Sequence, residues 1–173
     1  VDLIKELKRV SLFSDVSDES LRLISNTIHK RTYAKDDVVI SKGDLGSELC
    51  IVHDGSFRAV LIDDDGKEVI LSRFGLYDIF GEFSVIDSKE RAGTIIADVD
   101  SSTFIIDNNS FFCLLRAEPD VAISLLKMLV ARLRRADELI ESLMFLNVRD
   151  RILSYLKGED IVKTLERQVS KVK

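Results

Sequence analysis

The residues best placed to do chemistry lie in one segment, Phe80-Gly81-Glu82-Phe83-Ser84-Val85, followed after a short polar stretch by Arg91-Ala92-Gly93-Thr94-Ile95-Ile96-Ala97. Gly81 after an apolar run permits a tight turn from a strand into a helix. The piece 82–86 suits a single helical turn, whose unpaired N–H groups can face an anion. Arg91 is permanently cationic and its guanidinium forks onto phosphate oxygens. An ionised Glu82 only accepts hydrogen bonds, which suits a ribose hydroxyl. Such a carboxylate and guanidinium, nine positions apart around one turn, describe a small nucleotide pocket. The competing reading of the same pair is a salt bridge that ties the fold together.

Other reactive residue types are sparse. His29 and His53 stand apart in strand-like context, where a surface or core histidine is the expectation. A metal-dependent enzyme would need a cluster of histidines with a carboxylate, and no nucleophile–base constellation stands out, so the expectation is a non-enzyme with no metal. Cys50 and Cys113 sit inside apolar runs, which predicts buried free thiols in a reducing compartment.

The elements that must position the site divide the chain in two. Seven of the eight glycines lie between residues 43 and 93, and glycines between β-branched runs signal tight turns in a sheet structure. Strands are predicted at 31–34, 38–40, 49–52, 57–62, 68–74, 94–99 and 103–106. Asp63-Asp64-Asp65-Gly66 reads as a hairpin turn; its rival, a calcium loop, lacks the ligand spacing and terminal Glu. Ahead of the strands, Ile4, Leu7, Val10 and Leu12 form an amphipathic piece, and Ser17 caps a helix through Ile28. After Asn108 the period becomes helical: a short helix at 109–115, then a long one from Pro119 to about Leu146, about 42 Å at 1.5 Å per residue. That helix carries two apolar stripes, Leu125, Leu129, Arg132, Ala136, Leu139, Leu143, Leu146 and Ala122, Leu126, Leu133, Ile140, Met144. Two stripes imply two partners, the chain's own barrel and a second subunit; the competing reading is a helix buried in a single core, which few remaining residues could cover. Asn147 interrupts the pattern, and a further helix is expected at 148–156, stopped by Gly158.

The chain has 173 residues, 25 basic and 30 acidic, for a net charge of −5, so as a whole it is a poor ligand for polyanions. The charge is unevenly placed: residues 1–116 hold 14 basic and 21 acidic residues, whereas residues 148–173 hold 7 and 4. No apolar run approaches the roughly 20 residues of a membrane span, and no secretory leader is visible. The expected setting is the cytoplasm, and a start at Val rather than Met suggests trimmed ends.

The segment 81–97 resembles the phosphate-binding cassette of cyclic-nucleotide-binding domains, Gly-Glu-x-small-apolar, a loop, then Arg-Ala/Ser-Ala-x-apolar. The run Gly43–Gly55 resembles the family's other signature, Phe74–Glu82 its lead-in, and Phe145–Ile152 the hinge of the CRP/FNR bacterial regulators. The resemblance implies a mostly β fold with flanking helices: a double-stranded β-helix (jelly-roll or β-roll) at 1–116, a dimerisation helix and hinge at 117–147, and at 148–173 the start of a winged helix-turn-helix domain. It implies a homodimer through helix 119–146, and DNA as partner of a domain beyond this chain. The implied effector is a cyclic nucleotide, cAMP ahead of cGMP. Carried over by residue, Gly81, Glu82, Phe83 and Ser84 form the cassette turn with Glu82 on the ribose 2′-hydroxyl, Arg91 holds the phosphate, and the Ala92 N–H meets it. Ala136 and Asp137 fall where the family places Thr and Ser against the base. Three positions depart from the pattern: Gly93 for Ala, Glu90 for a frequent Pro, and Tyr77 for a Gly. The alternatives are the same fold tuned to another small anion, haem or redox, or a nucleotide-independent dimerisation module.

Overall fold

A computed structural model of the chain describes residues 3–63 and 66–145. Two compact units divide after Ser124. The first opens with helix α1 (Leu3–Leu7), a 3₁₀ turn (Ser11–Phe13) and helix α2 (Asp18–Ser25). The Ser17 side chain caps α2 by accepting from the Ser20 N–H, as its position before an apolar-periodic run predicts. The amphipathic piece at 4–12 is broken in two, with Leu7, Val10, Leu12 and Phe13 all buried.

Eight strands follow: β1 (His29–Tyr33), β2 (Val38–Ile40), β3 (Glu48–Asp54), β4 (Phe57–Ile62), β5 (Glu68–Phe74), β6 (Ile79–Phe80), β7 (Thr94–Ala97) and β8 (Ser101–Asp107). They form two antiparallel sheets, ordered β1-β8-β3-β6 and β2-β7-β4-β5. The sheets enclose a core of Cys50, Val52, Phe80 and Ile105 from one side and Phe57, Ala59, Phe74, Ile95 and Ala97 from the other. Two four-stranded antiparallel sheets closed over one core are a jelly-roll. On β3, Leu49 and Ile51 alternate with the core residues and are also fully buried; helix α4 (Asn108–Ala117) packs on β3 and β8. The β4–β5 hairpin forms as expected, with Ile62 opposite Glu68 and Asp63 receiving the Gly66 and Lys67 N–H groups; Asp64 and Asp65 lie outside the described residues.

Helix α3 (Glu82–Asp87) follows β6, and after β8 come α4 and α5 (Pro119–Phe145). Asp107 caps α4, its carboxylate accepting from the Ser110 N–H at 3.0 Å and the Ser110 hydroxyl at 2.6 Å. Those bonds, the hydroxyl first, hold the Asp107 carboxyl below its usual range. A depressed native pKa stabilises the fold above the unfolded value near 4 and is lost as pH falls through the native one. Asp107→Ala is therefore expected to cost about 0.5–2 kcal/mol at neutral pH. The cost should shrink progressively as the pH is lowered below the unfolded-state value and the wild-type cap begins to take up its proton; urea denaturation across that pH series measures it.

Cys113 corrects the sequence reading. It is exposed, whereas Cys50 is buried. Helix α4 turns Phe111 and Leu114 inward, and position 113 then falls on the solvent side of a 3.6-residue repeat. On α5, Val121 and Leu125 are buried while Ile123, Leu126, Val130, Leu133, Leu139 and Ile140 are exposed. The hinge at Asn147 and the helix expected at 148–156 lie outside the described residues.

Candidate functional site

Strand β6 is only two residues long, paired through Phe80 to Cys50 and Ile79 to Ile51. At its end Gly81 turns left-handed (φ 84°, ψ 2°), and α3 begins at Glu82. A side chain at Gly81 would be strained by that φ, and its Cβ would lie 3.0 Å from the Glu48 carbonyl oxygen and 2.7 Å from Arg91 Nη1. Helix α3 is capped by Ser88, also left-handed, whose N–H donates to the Ser84 carbonyl. The chain then returns along the 43–45 loop: Leu45 bridges Glu90, Arg91 N–H donates to the Asp44 carbonyl at 2.9 Å, and Gly43 N–H donates to the Arg91 carbonyl at 3.0 Å.

These turns bury two charged side chains, Glu82 at 2% and Arg91 at 8% exposure. Arg91 donates through Nη1 to the Gly81 carbonyl at 2.7 Å and through Nη2 to the Glu48 carbonyl at 2.9 Å. It lies so close over Gly46 that a Cβ there would collide with the guanidinium. A guanidinium carries five N–H donors, and these two bonds take two of them. Neutral carbonyl oxygens orient a buried cation without neutralising it, and a buried charge is costly unless it meets an opposite one. The arrangement can receive an anion.

Arg91 lines a cavity of about 200 Å³ with Val39, Ile40, Ser41, residues 44–48, Arg31 and Cys50. That is smaller than the roughly 300–1,000 Å³ of pockets that enclose a whole drug-sized ligand, and suits a sugar–phosphate moiety. Of the residues read from sequence as the cassette, Arg91 alone lines it; Glu82, Ser84 and Val85 are buried alongside, Phe83 is half exposed, and Ala92 is exposed. Ala136 and Asp137 lie on α5 in the second unit, both exposed.

Of the lining residues that sequence reasoning did not assign to the site, Arg31, Glu48 and Cys50 carry the most chemistry. Arg31 grips the Glu48 carboxylate in a bidentate pair, at 3.2 and 3.4 Å, and this raises the Arg31 pKa. Both side chains are well exposed, so the pair contributes little to stability. Cys50 forms part of the wall; burial pushes its thiol up to about 12, so it stays protonated and unreactive near neutrality. The Glu48 contact to Arg91 runs through a backbone carbonyl, which carries no residue-type signal.

The departures from the family pattern are accommodated. A Cβ at Gly93 would meet only the Val60 carbonyl, at an ordinary 3.6 Å. Tyr77 adopts the left-handed backbone (φ 66°) that a glycine would adopt freely. Its hydroxyl accepts from Arg9 at 2.8 Å and donates to Glu6 at 3.0 Å, with the Arg9 guanidinium 5.8 Å from the ring centroid.

A jelly-roll closed over a glycine-capped single-turn helix and a buried arginine is the architecture of a cyclic nucleotide-binding domain, and the sequence profile of that domain matches residues 30–118. The cyclic AMP receptor protein of Thermus thermophilus is 30% identical over 146 residues, 84% of this chain and 68% of that protein. The crystal structure of Thermus thermophilus catabolite activator protein superposes with a TM-score of 0.66 at 25% identity, covering 93% of this chain and 87% of that one. The sensor domain of the transcriptional regulator DNR from Pseudomonas aeruginosa shares the fold, with a TM-score of 0.68 at 23% identity, covering 77% of this chain and 90% of that one. The chain belongs to the CRP/FNR family of regulators, with a cyclic nucleotide-binding domain at its centre. No described helix is long and apolar enough to cross a membrane.

Proposed function

We propose that this chain is the effector part of a dimeric, non-enzymatic transcription regulator that binds cAMP, with cGMP as the weaker ligand, and passes the signal along α5 to a DNA-binding domain in the cytoplasm. The observation that carries this reading is the buried Arg91 guanidinium, oriented by the Gly81 and Glu48 carbonyls and left without a carboxylate among those bonds. A cyclic phosphate supplies the missing negative charge, with the Ala92 N–H as a further donor. Glu82, at the start of α3, accepts the ribose 2′-hydroxyl, and Gly81, Phe83 and Ser84 shape the turn that holds it. On this reading the organisation is a sensor at 1–116, a dimerisation helix and hinge at 117–147, and the beginning of the DNA-binding domain at 148–173.

The Glu82 role makes a specific prediction. Removing the 2′-hydroxyl of cAMP should weaken binding to the wild type about tenfold, one charge-assisted hydrogen bond's worth. The same deletion should have little effect on Glu82→Ala, because the pair is already broken. Calorimetric titration of both ligands against both proteins measures the coupling, and additive losses would remove Glu82 from the sugar site.

The dimer rests on α5, where Leu126, Leu133 and Ile140 recur every seven residues at 61%, 62% and 54% exposure. Such a row is a coiled-coil seam. Ile123 and Val130 form the companion row, and Asp137 is its next member. A carboxylate at a seam is destabilising unless paired, and the exocyclic amine of adenine would pair it; Ala136 offers the base only packing. Leu133→Glu is expected to convert the dimer to monomer in sedimentation equilibrium. An unchanged sedimentation mass would place the interface elsewhere.

A further inference from the structure

We propose a second small-molecule site, on the sheet β1-β8-β3 and sharing no residue with the Arg91 cavity, that takes a neutral hydroxyl-rich ligand, a sugar or polyol. The register there is irregular: Val52 pairs with Thr103 and Asp54 with Ser102, so His53 is the extra residue of a β-bulge. Bulges re-aim side chains and are enriched beside functional sites. Ser102 also pairs with Thr32 on β1, so Thr32, Ser102 and Asp54 form one row across three strands on one face of the sheet.

Two polar atoms at this bulge are buried with no hydrogen-bond partner, the Ser102 hydroxyl and His53 Nδ1. Ser102 is 4% exposed and lines an open cavity of about 430 Å³, together with Lys30, Thr32, Asp54 and Asp100. A buried hydroxyl without a partner costs about 1–3 kcal/mol, and a turn of the Ser102 side chain about χ1 lets a ligand in the cavity that this residue lines supply the missing partner. The cavity is within the size range of small-ligand pockets.

The lining specifies the ligand's chemistry. The Asp54 and Asp100 carboxylates are oriented by the N–H groups of Gly55, at 3.0 Å, and Lys35, at 2.9 Å; ionised, they only accept. Lys30 only donates, and Ser102 does both. An ammonium ligand would satisfy the carboxylates and be repelled by Lys30; a phosphate would do the reverse. A hydroxyl donates and accepts without net charge, so a polyol satisfies all four groups.

The test is amide chemical-shift mapping of the ¹⁵N-labelled chain with D-ribose and D-glucose at millimolar concentration, and glycine as a zwitterionic control. The expected result is saturable shifts at residues 30–34, 53–55 and 100–102 with at least one sugar and none with glycine. Asp54→Asn, a change at an exposed position, and Ser102→Ala should each weaken that binding about tenfold, one hydrogen bond to a charged or buried partner, and leave cAMP titration unchanged. No saturable shift with either sugar, shifts confined elsewhere, shifts with glycine alone, or sugar affinity that survives both substitutions would overturn the proposal.

Discussion

Arg91→Ala is expected to raise the dissociation constant for cAMP at least ~100-fold, the loss of two charge-assisted hydrogen bonds at about 1.5–3 kcal/mol each. The size of the effect follows from burial. At 8% exposure the guanidinium is shielded from water, and no other described cation lines the cavity except Arg31, which grips Glu48. The substitution also removes the tie between the Gly81 and Glu48 carbonyls, so a fall in melting temperature should accompany the loss of affinity. Arg91→Lys separates the two effects. It keeps the positive charge and loses the planar fork, so it should bind cAMP with an affinity between wild type and Arg91→Ala. Calorimetric titration of the three proteins, alongside their thermal melts, checks both parts.

Phe57→Ala should be the most destabilising single change in the jelly-roll, at about 3–5 kcal/mol. Phe57 is fully buried and sits at the centre of an aromatic chain that crosses between the sheets. Its ring meets Tyr33 edge-on at 5.8 Å and Phe80 at 5.2 Å, and Phe80 in turn meets Phe74 at 5.3 Å. Deleting the ring leaves a cavity that flanking strands can fill only by moving, and Phe80 immediately precedes Gly81. Against a total stability of about 5–15 kcal/mol for a domain of this kind, the loss is a large fraction. The urea midpoint should fall with little change in slope; a shift under 1 kcal/mol (roughly the cost of a tolerated core swap) would contradict the packing described.

The fold was legible where side chains alternate over enough residues. Strands β2, β4 and β5 have the boundaries that the apolar runs predict; in β4 the run buries Phe57, Ala59 and Val60, whereas β5 is exposed up to Phe74, and its ends were read from the turn residues that flank it. Strand β6 was invisible, since two residues cannot show a period. Strand β1 begins two residues earlier than predicted, because His29-Lys30-Arg31 is an exposed edge with no apolar alternation. Cys113 was misplaced because an apolar neighbourhood in sequence does not fix which face of a helix a residue takes. At the site, residue types announced Glu82 and Arg91, and glycine spacing announced the turn. What sequence could not announce was how Arg91 is held, by carbonyl groups that every residue carries, or that Arg31 and Cys50 would close the same cavity from other strands. Tyr77 stands between the two cases. Its position called for a residue tolerant of positive φ, but only the Arg9 and Glu6 contacts show how a tyrosine is kept there.

Whether the buried Arg91 receives a cyclic phosphate is decided by isothermal titration of the purified chain with cAMP and cGMP. The expected result is saturable binding of one nucleotide per chain, tighter for cAMP, after any ligand retained from purification (absorbance near 260 nm for a nucleotide, a Soret band for haem) has been removed. Absence of binding by either nucleotide at millimolar concentration would contradict it, and would move the site to a different effector.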